Sequence, residues 1–374
     1  MATDLESGKQ EGEVVPVRPS LKITGLHIKG LKSIGSLDLP EDGLGWNGEI
    51  PDFVMVGGIN GSGKTTLLEF LASSFEYAEL FTSKGRDPIQ LPPALSAAEA
   101  RMDFEFSLTG IRYESNRFLI GNQKFLDENS SENWFGLLRS SAVSNPNWVN
   151  PIGSPQMNFR LAAQAVKLMA PTREWSCPPC VVYFPSERRT LFNPDAEFNF
   201  TGNIEENSEF VYRWQTATDV KAPDQIIKNI YNIRWEDLNA REAGLDLETK
   251  GFDAYSQAFD RFFQGRKRLK WTAKGRLVVE TKNGDIHDLS ELSSGEKQVI
   301  LFMGELLHRW HPGSLILIDE PELHLHESYQ TKLWEALIDW QKERGGQVIV
   351  ATQSAHLFGL SGLGTRVILS RRSR

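Results

Sequence analysis

The order of apolar and polar positions divides the chain into elements before any chemistry is considered. From Leu21, LKITGLHIKGLKSIGSLDL alternates apolar with polar residues in two runs broken at Gly30 and Gly35, which predicts two strands. DFVMVGG is a compact apolar strand ending in glycines, and GINGSGKTTLLEFLASSF continues into an amphipathic helix whose Leu67, Leu68, Phe70 and Leu71 face a core. RMDFEFSL and CVVYFPSERR read as strands, and SSAVSNPNWVNPIGSPQ reads as a loop rich in Ser, Asn and Pro. A mostly helical run extends from about Ile204 to Gln264 without sustained heptads, which excludes long coiled-coil arms.

The last third is the most legible. GRLVVETKNGDIHDLSEL predicts a hairpin in which Asn283 and Gly284 supply two positive-φ residues to a tight turn. VILFMGELLHRW is a helix, SLILIDEPELHLH an apolar strand ending in Asp319 and Glu320, and GGQVIVATQSAHL another strand with polar residues at its C-terminal end. Apolar runs whose polar chemistry clusters at their ends describe an α/β fold with a mostly parallel sheet and a ligand site along one edge. No internal repeat is present. We expect a disordered polar tail over residues 1–20 and a single domain over residues 21–374, with a helical or irregular insertion lobe at about residues 200–270.

Composition narrows the class. The chain has 374 residues and a net charge of −8, which argues against a surface that coats nucleic acid broadly and leaves only a local basic patch for phosphates. The best such patch is GRKRLKW, Gly265–Trp271, whose alternative reading is the solvated end of a helix. No apolar window reaches the roughly eighteen residues of a membrane span, and the N-terminus lacks a signal pattern, so a cytoplasmic protein is expected. The two cysteines, Cys177 and Cys180 of CPPC, cannot form a secreted disulfide scaffold. Cys180 runs directly into an apolar strand, so a structural role is expected rather than half of a zinc site.

Two motifs carry chemistry on their own terms. Gly58–Thr65 matches G-x-x-x-x-G-K-[ST] between a strand and a helix. There the backbone N–H groups of Asn60, Gly61, Ser62, Gly63 and Thr66 can turn toward a polyphosphate at a helix N-terminus. Lys64 can reach its β- and γ-phosphates, and the Thr65 hydroxyl can ligate Mg²⁺. An aspartate at the end of a buried strand can hold a Mg²⁺ water shell and an adjacent carboxylate can take a proton from attacking water, roles that suit Asp319 and Glu320.

GINGSGKTT, LSSGEKQ, LILIDEPELHLH and VIVATQSAH occur in the order of the ABC-type ATPases, and the chain resembles their non-transporter branch of RecF, SMC and OLD-like proteins. LHIKGLKSI is similar to that branch's first strands and DEPELHLH to its AAA-15/AAA-21 group. The resemblance implies an ATPase head with N-terminal antiparallel strands, ATP and Mg²⁺ as cofactors, and a homodimer or higher oligomer that sandwiches ATP head to tail. In it, Ser293 and the backbone of Gly295 would cap the γ-phosphate held by the partner's Lys64, although LSSGE taken alone is also a serine N-cap followed by a glutamate. It places Gln353 where the family usually carries a γ-phosphate-contacting histidine, with His356 as a possible substitute, and Glu327 where proline often follows the second histidine. Gln90, Gln123 and Gln156 are candidates for the glutamine loop.

The resemblance implies an ATP-switched regulator or sensor for a separate effector, a nuclease or toxin, as in the ATPase subunits of prokaryotic anti-phage systems. The alternative is a RecF-like DNA-repair clamp, in which nucleic acid is the partner. A transporter subunit fits least, because the interval from Lys64 to Ser293 is too long for its helical lobe.

Overall fold

The computed structural model describes residues 18–40, 50–84, 89–108, 111–139, 148–154, 179–186, 210–214, 222–242, 244, 251–323, 325–360 and 365–369. Among these, six strands form an all-parallel sheet in the order β10-β9-β14-β15-β3-β16. They are β3 (Phe53–Gly57), β9 (Val181–Phe184), β10 (Val211–Arg213), β14 (Leu315–Asp319), β15 (Gln347–Thr352) and β16 (Thr365–Ile368). A second sheet of seven described strands runs β2-β1-β5-β6-β7-β8-β4 and is antiparallel except between β6 and β7. Its strands are β1 (Ser20–Leu31), β2 (Ile34–Leu39), β4 (Ile89–Gln90), β5 (Glu99–Leu108), β6 (Ile111–Gly121), β7 (Asn133–Leu138) and β8 (Trp148–Ser154). A small antiparallel sheet contains β11 (Lys267–Trp271), β12 (Leu277–Thr281) and β13 (Ile286–Asp288). The α/β class and the parallel sheet expected from the apolar runs are observed.

Side-chain alternation along the parallel strands explains why the sheet is covered on both faces. Val54, Val56, Leu315, Leu317, Ile349 and Ala351 pack with the seven-stranded sheet and with Leu67, Phe70 and Leu71 of the helix Lys64–Lys84. Phe53, Met55, Ile316, Ile318, Val348 and Val350 join a second core with the helices Ala222–Glu242, Gly251–Phe262, Ser294–Arg309 and Glu327–Arg344. The two helices from the region expected as an insertion lobe therefore share a core with the parallel sheet. Gln347 fastens the two sheets together: buried, it accepts from the Ile23 N–H (2.9 Å) and donates to the carbonyls of Ile23 (3.2 Å) and Pro51 (3.0 Å).

Several local expectations are corrected. β1 continues through Gly30 and turns only at Lys32 and Ser33, while Gly35 lies inside β2. The run read as helical from Ile204 contains β10, because its three residues complete the edge of the parallel sheet beside β9. In the β12–β13 turn only Gly284 has positive φ (89°); Asn283 does not. Thr281 and Asp285 flank a three-residue loop with Gly284 in its left-handed position, and Gly275 serves the β11–β12 turn in the same way. GRKRLKW is not a helix end: residues 267–271 of it form β11. The first 17 residues of the expected tail lie outside the described residues.

Candidate functional site

Strand order builds the site. β15 lies between β3 and β14, and the register places Asp319 opposite Ala351 and Thr352 opposite Gly57, so the C-terminal ends of the three strands are level. The phosphate-loop motif, the Asp319–Glu320 pair and Gln353 therefore leave the sheet side by side along one edge, from stretches far apart in sequence.

In the loop Gly58–Thr65, Gly61 (φ 79°) and Gly63 (φ 102°) occupy backbone regions that residues with a Cβ enter at a cost. At Gly63 space is also decisive, since a Cβ there would lie 2.6 Å from Cγ1 of Ile34. The β1–β2 turn thus packs directly on the loop. Lys64 is buried and its ammonium donates to the carbonyls of Gly58 (2.8 Å) and Ile59 (3.3 Å), holding the loop curled around it. The Ser62 hydroxyl oxygen is buried with no hydrogen-bond partner.

Thr65 Oγ1 donates to Asp319 Oδ2 at 2.6 Å, and Asp319 is fully buried. The next residue, half-buried Glu320, has φ 47°, a left-handed conformation that costs about 1–3 kcal/mol in a residue with a side chain. Its N–H is fixed by the Ala351 carbonyl at 2.8 Å, so the chain turns sharply where β14 ends.

These residues suit magnesium with a polyphosphate. A hydroxyl and a carboxylate oxygen in contact are the hard oxygen donors that Mg²⁺ uses beside phosphate oxygens, and the buried, unpartnered Ser62 hydroxyl can supply a further hydrogen bond inside the loop. No group of three or more His, Cys, Asp or Glu able to hold a metal occurs among the described residues, and a site completed by phosphates does not need one.

Gln353 is exposed at the end of β15. Its backbone N–H donates to Glu322 Oε1 at 2.9 Å, a contact that sequence reasoning does not single out. The available signal is the second glutamate of DEPE, but nothing in the spacing says where that side chain points. His356 does not fold back toward the strand end: its Nε2 lies 2.8 Å from Thr331 Oγ1 on the neighbouring helix. Of the glutamine-loop candidates, Gln90 lies in β4 on the edge of the other sheet, Gln123 bonds Asp127 within its own helix, and Gln156 lies outside the described residues.

The LSSGEKQ segment forms the start of the helix Ser294–Arg309. Ser293 is its N-cap: its Oγ accepts from Glu296 N (3.4 Å) while Glu296 Oε2 accepts from Ser293 N (3.1 Å), a capping box. Ser293 and Ser294 are exposed and Gly295 is half-buried, so the positive end of this helix opens to solvent. Lys267 of β11 donates to Glu296 Oε1 at 2.6 Å. Burial alone would raise the Glu296 carboxyl, but Lys267 and the Ser293 N–H and hydroxyl hold it below its usual range.

Three of the four cations of the basic segment are paired locally, and exposed Arg266 makes no ion pair among the described residues. Besides Lys267 with Glu296, Arg268 pairs with Asp260 (3.2 Å) and Lys270 with Glu280 (2.6 Å). Cys180 is buried beside Ser314, whose Oγ lies 3.5 Å from its Sγ, and burial raises its thiol pKa; Cys177 lies outside the described residues. No described helix is long and apolar enough to cross a membrane.

A phosphate-loop motif and an acidic strand end separated by one inserted parallel strand, with a capped helix presenting LSSGE, form the arrangement that the resemblance to ABC-type ATPase heads leads one to expect. Residues 215–359 match the AAA_21 family model, described as "AAA domain, putative AbiEii toxin, Type IV TA system". No curated protein matches the chain. Among solved structures it is similar to an SmcHead bound to the C-winged helix domain of ScpA, with 16% identity over 94% of each chain and a TM-score of 0.41. It is likewise similar to the SMC head domain from Thermotoga maritima, with 14% identity over 90% of this chain and 91% of that one and a TM-score of 0.40. A third similar structure is an Smc head domain with an extended coiled coil, bound to the C-terminal domain of ScpA derived from Pyrococcus furiosus; identity is 15% over 94% of each chain and the TM-score 0.39.

Proposed function

We propose that the protein is an ATP-binding and ATP-hydrolysing switch that dimerises head to tail around ATP and regulates a separate effector, a nuclease or toxin, in prokaryotic defence. The observation that carries the ATPase reading is the Thr65–Asp319 contact at 2.6 Å, which joins the phosphate loop to the acidic strand end. In this reading Asn60–Thr66 cradle the triphosphate with backbone N–H groups and Lys64 neutralises it. Thr65 and Asp319 would hold Mg²⁺, whose charge would offset that building on the phosphate oxygens. Glu320 takes a proton from the attacking water, and Gln353 hydrogen-bonds that water or the γ-phosphate.

The dimer reading is supported by the exposed N-terminus at Ser293–Gly295: the serine is engaged by Glu296 of its own helix, while the helix end is open to an anion on another molecule. The defence role is supported by the toxin–antitoxin wording of the family match. A DNA-repair clamp is favoured less, because Lys267, Arg268 and Lys270 are each paired with a carboxylate, which leaves Arg266 alone of that segment's cations without an ion pair among the described residues.

Complementation tests composite sites. Ser293→Arg and Lys64→Ala should each lack turnover alone, whereas their mixture should regain part of it, because one site of a mixed dimer keeps an intact loop and an intact signature. Mixed dimers that form but stay inactive would overturn the head-to-tail arrangement.

A further inference from the structure

Glu322 lies two residues beyond Glu320, and only 7% of it is exposed. Its Oε1 accepts three hydrogen bonds, from Thr352 Oγ1 (2.6 Å), Gln353 N (2.9 Å) and Ser354 N (3.1 Å). One carboxylate oxygen thus ties the turn after β14 to the turn after β15. The second turn is braced from behind: Ser354 N also donates to Thr352 Oγ1 (2.9 Å), and Ser354 Oγ donates to Gln330 Oε1 (2.9 Å) on the helix Glu327–Arg344.

Burying a carboxylate is costly, and an apolar residue of similar volume often serves stability as well. What a buried oxygen accepting three bonds provides instead is geometry. The backbone of Gln353 is set relative to the strand end that carries Glu320, and Glu320 is itself fixed to Ala351 of the same neighbouring strand. We infer that Glu322 is a positioning residue for ATP hydrolysis, holding Gln353 in register with Glu320 so that both meet one γ-phosphate and its attacking water. This rests on the functional reading above. It adds the element that makes the two strand ends one unit.

The test compares Glu322→Gln, Glu322→Ala and Glu322→Met in the full chain. The glutamine carbonyl oxygen can accept the same three bonds, whereas alanine and methionine cannot; methionine also fills the volume if alanine fails to fold. Misplacement by about 1 Å costs up to about 10²-fold. Glu322→Ala and Glu322→Met should therefore lose about 10- to 100-fold in kcat with KM within about threefold of wild type, and Glu322→Gln should stay within about threefold in both. Amide hydrogen exchange at Gln353 and Ser354 should accelerate at least about tenfold in the first two variants and remain unchanged in the third. Equal loss of turnover in all three, a rise in KM alone, or unchanged exchange in Glu322→Met would overturn the inference. A wild-type protein without ATP turnover would sink the hydrolytic reading instead, and the exchange arm would still decide whether Glu322 holds the turn.

Discussion

Thr65 and Asp319 stand 254 positions apart in the chain and meet at 2.6 Å, hydroxyl to carboxylate, where the phosphate loop passes the end of β14. Lys64, next to Thr65, points instead into its own loop, onto the carbonyls of Gly58 and Ile59. Under the proposed function, the two contacts should separate two contributions to nucleotide binding. Lys64→Ala should lower affinity for a fluorescent ATP analogue both with Mg²⁺ and with chelator, because in the proposed reading it removes the cation that would neutralise the phosphates. Asp319→Asn should lower affinity in Mg²⁺ and match wild type in chelator. Titrations in which both variants respond alike to chelator would reject this division of labour.

Glu320 should be separable from binding. Glu320→Gln preserves shape and the left-handed backbone, so analogue affinity should stay near wild type while turnover falls about 10²- to 10⁴-fold. With hydrolysis blocked, the ATP-bound dimer should accumulate and be visible by light scattering. Unchanged turnover would falsify the role of Glu320 as general base.

Gln353 and His356 are distinguished by where they are held. His356 is engaged with Thr331 on a neighbouring helix, while Gln353 sits exposed at the strand end. A glutamine amide can donate to a phosphate but cannot become cationic or relay a proton, so turnover should be slow and Gln353→His should raise it. His356→Ala should remain within about threefold of wild type, since one exposed contact accounts for about 1 kcal/mol at most. Loss of activity in His356→Ala with Gln353→Ala harmless would transfer the role to His356.

A stability prediction comes from the helix Ser294–Arg309, away from the strand ends. Glu305 is buried and accepts from Arg309 Nε at 2.9 Å. Burial would raise its carboxyl, but Arg309, His308 and Tyr212 hold it below the usual range. A depressed carboxylate contributes stability that is present above its unfolded pKa and is lost as pH falls through its folded value. Removing one partner of a buried pair costs about 3–5 kcal/mol, so Glu305→Ala should lower the melting temperature at pH 7 clearly. The gap between variant and wild type should narrow as pH drops below the ordinary carboxylate range. A gap independent of pH would assign the loss to packing alone.

The sequence by itself determined the elements whose signal is local. Apolar runs bounded by glycines specify β3, β14 and β15. The spacing of Leu67, Leu68, Phe70 and Leu71 specifies the face that the phosphate-loop helix buries, and G-x-x-x-x-G-K-T, LSSGE and Asp319–Glu320 mark the chemistry in order. What failed locally failed because neighbours decided it. β10 is three residues long and is specified by its place beside β9, and Asn283 lost its expected left-handed conformation because the strands joined through a three-residue loop. Only the tertiary structure decided that Lys267–Trp271 of GRKRLKW is a strand whose Lys267, Arg268 and Lys270 are paired, that His356 faces Thr331, and that Glu322 gathers Thr352, Gln353 and Ser354. Periodicity says which face of an element is buried. It carries no information about which distant strand will lie alongside, and the hydrogen bonds of a polar side chain depend on that pairing.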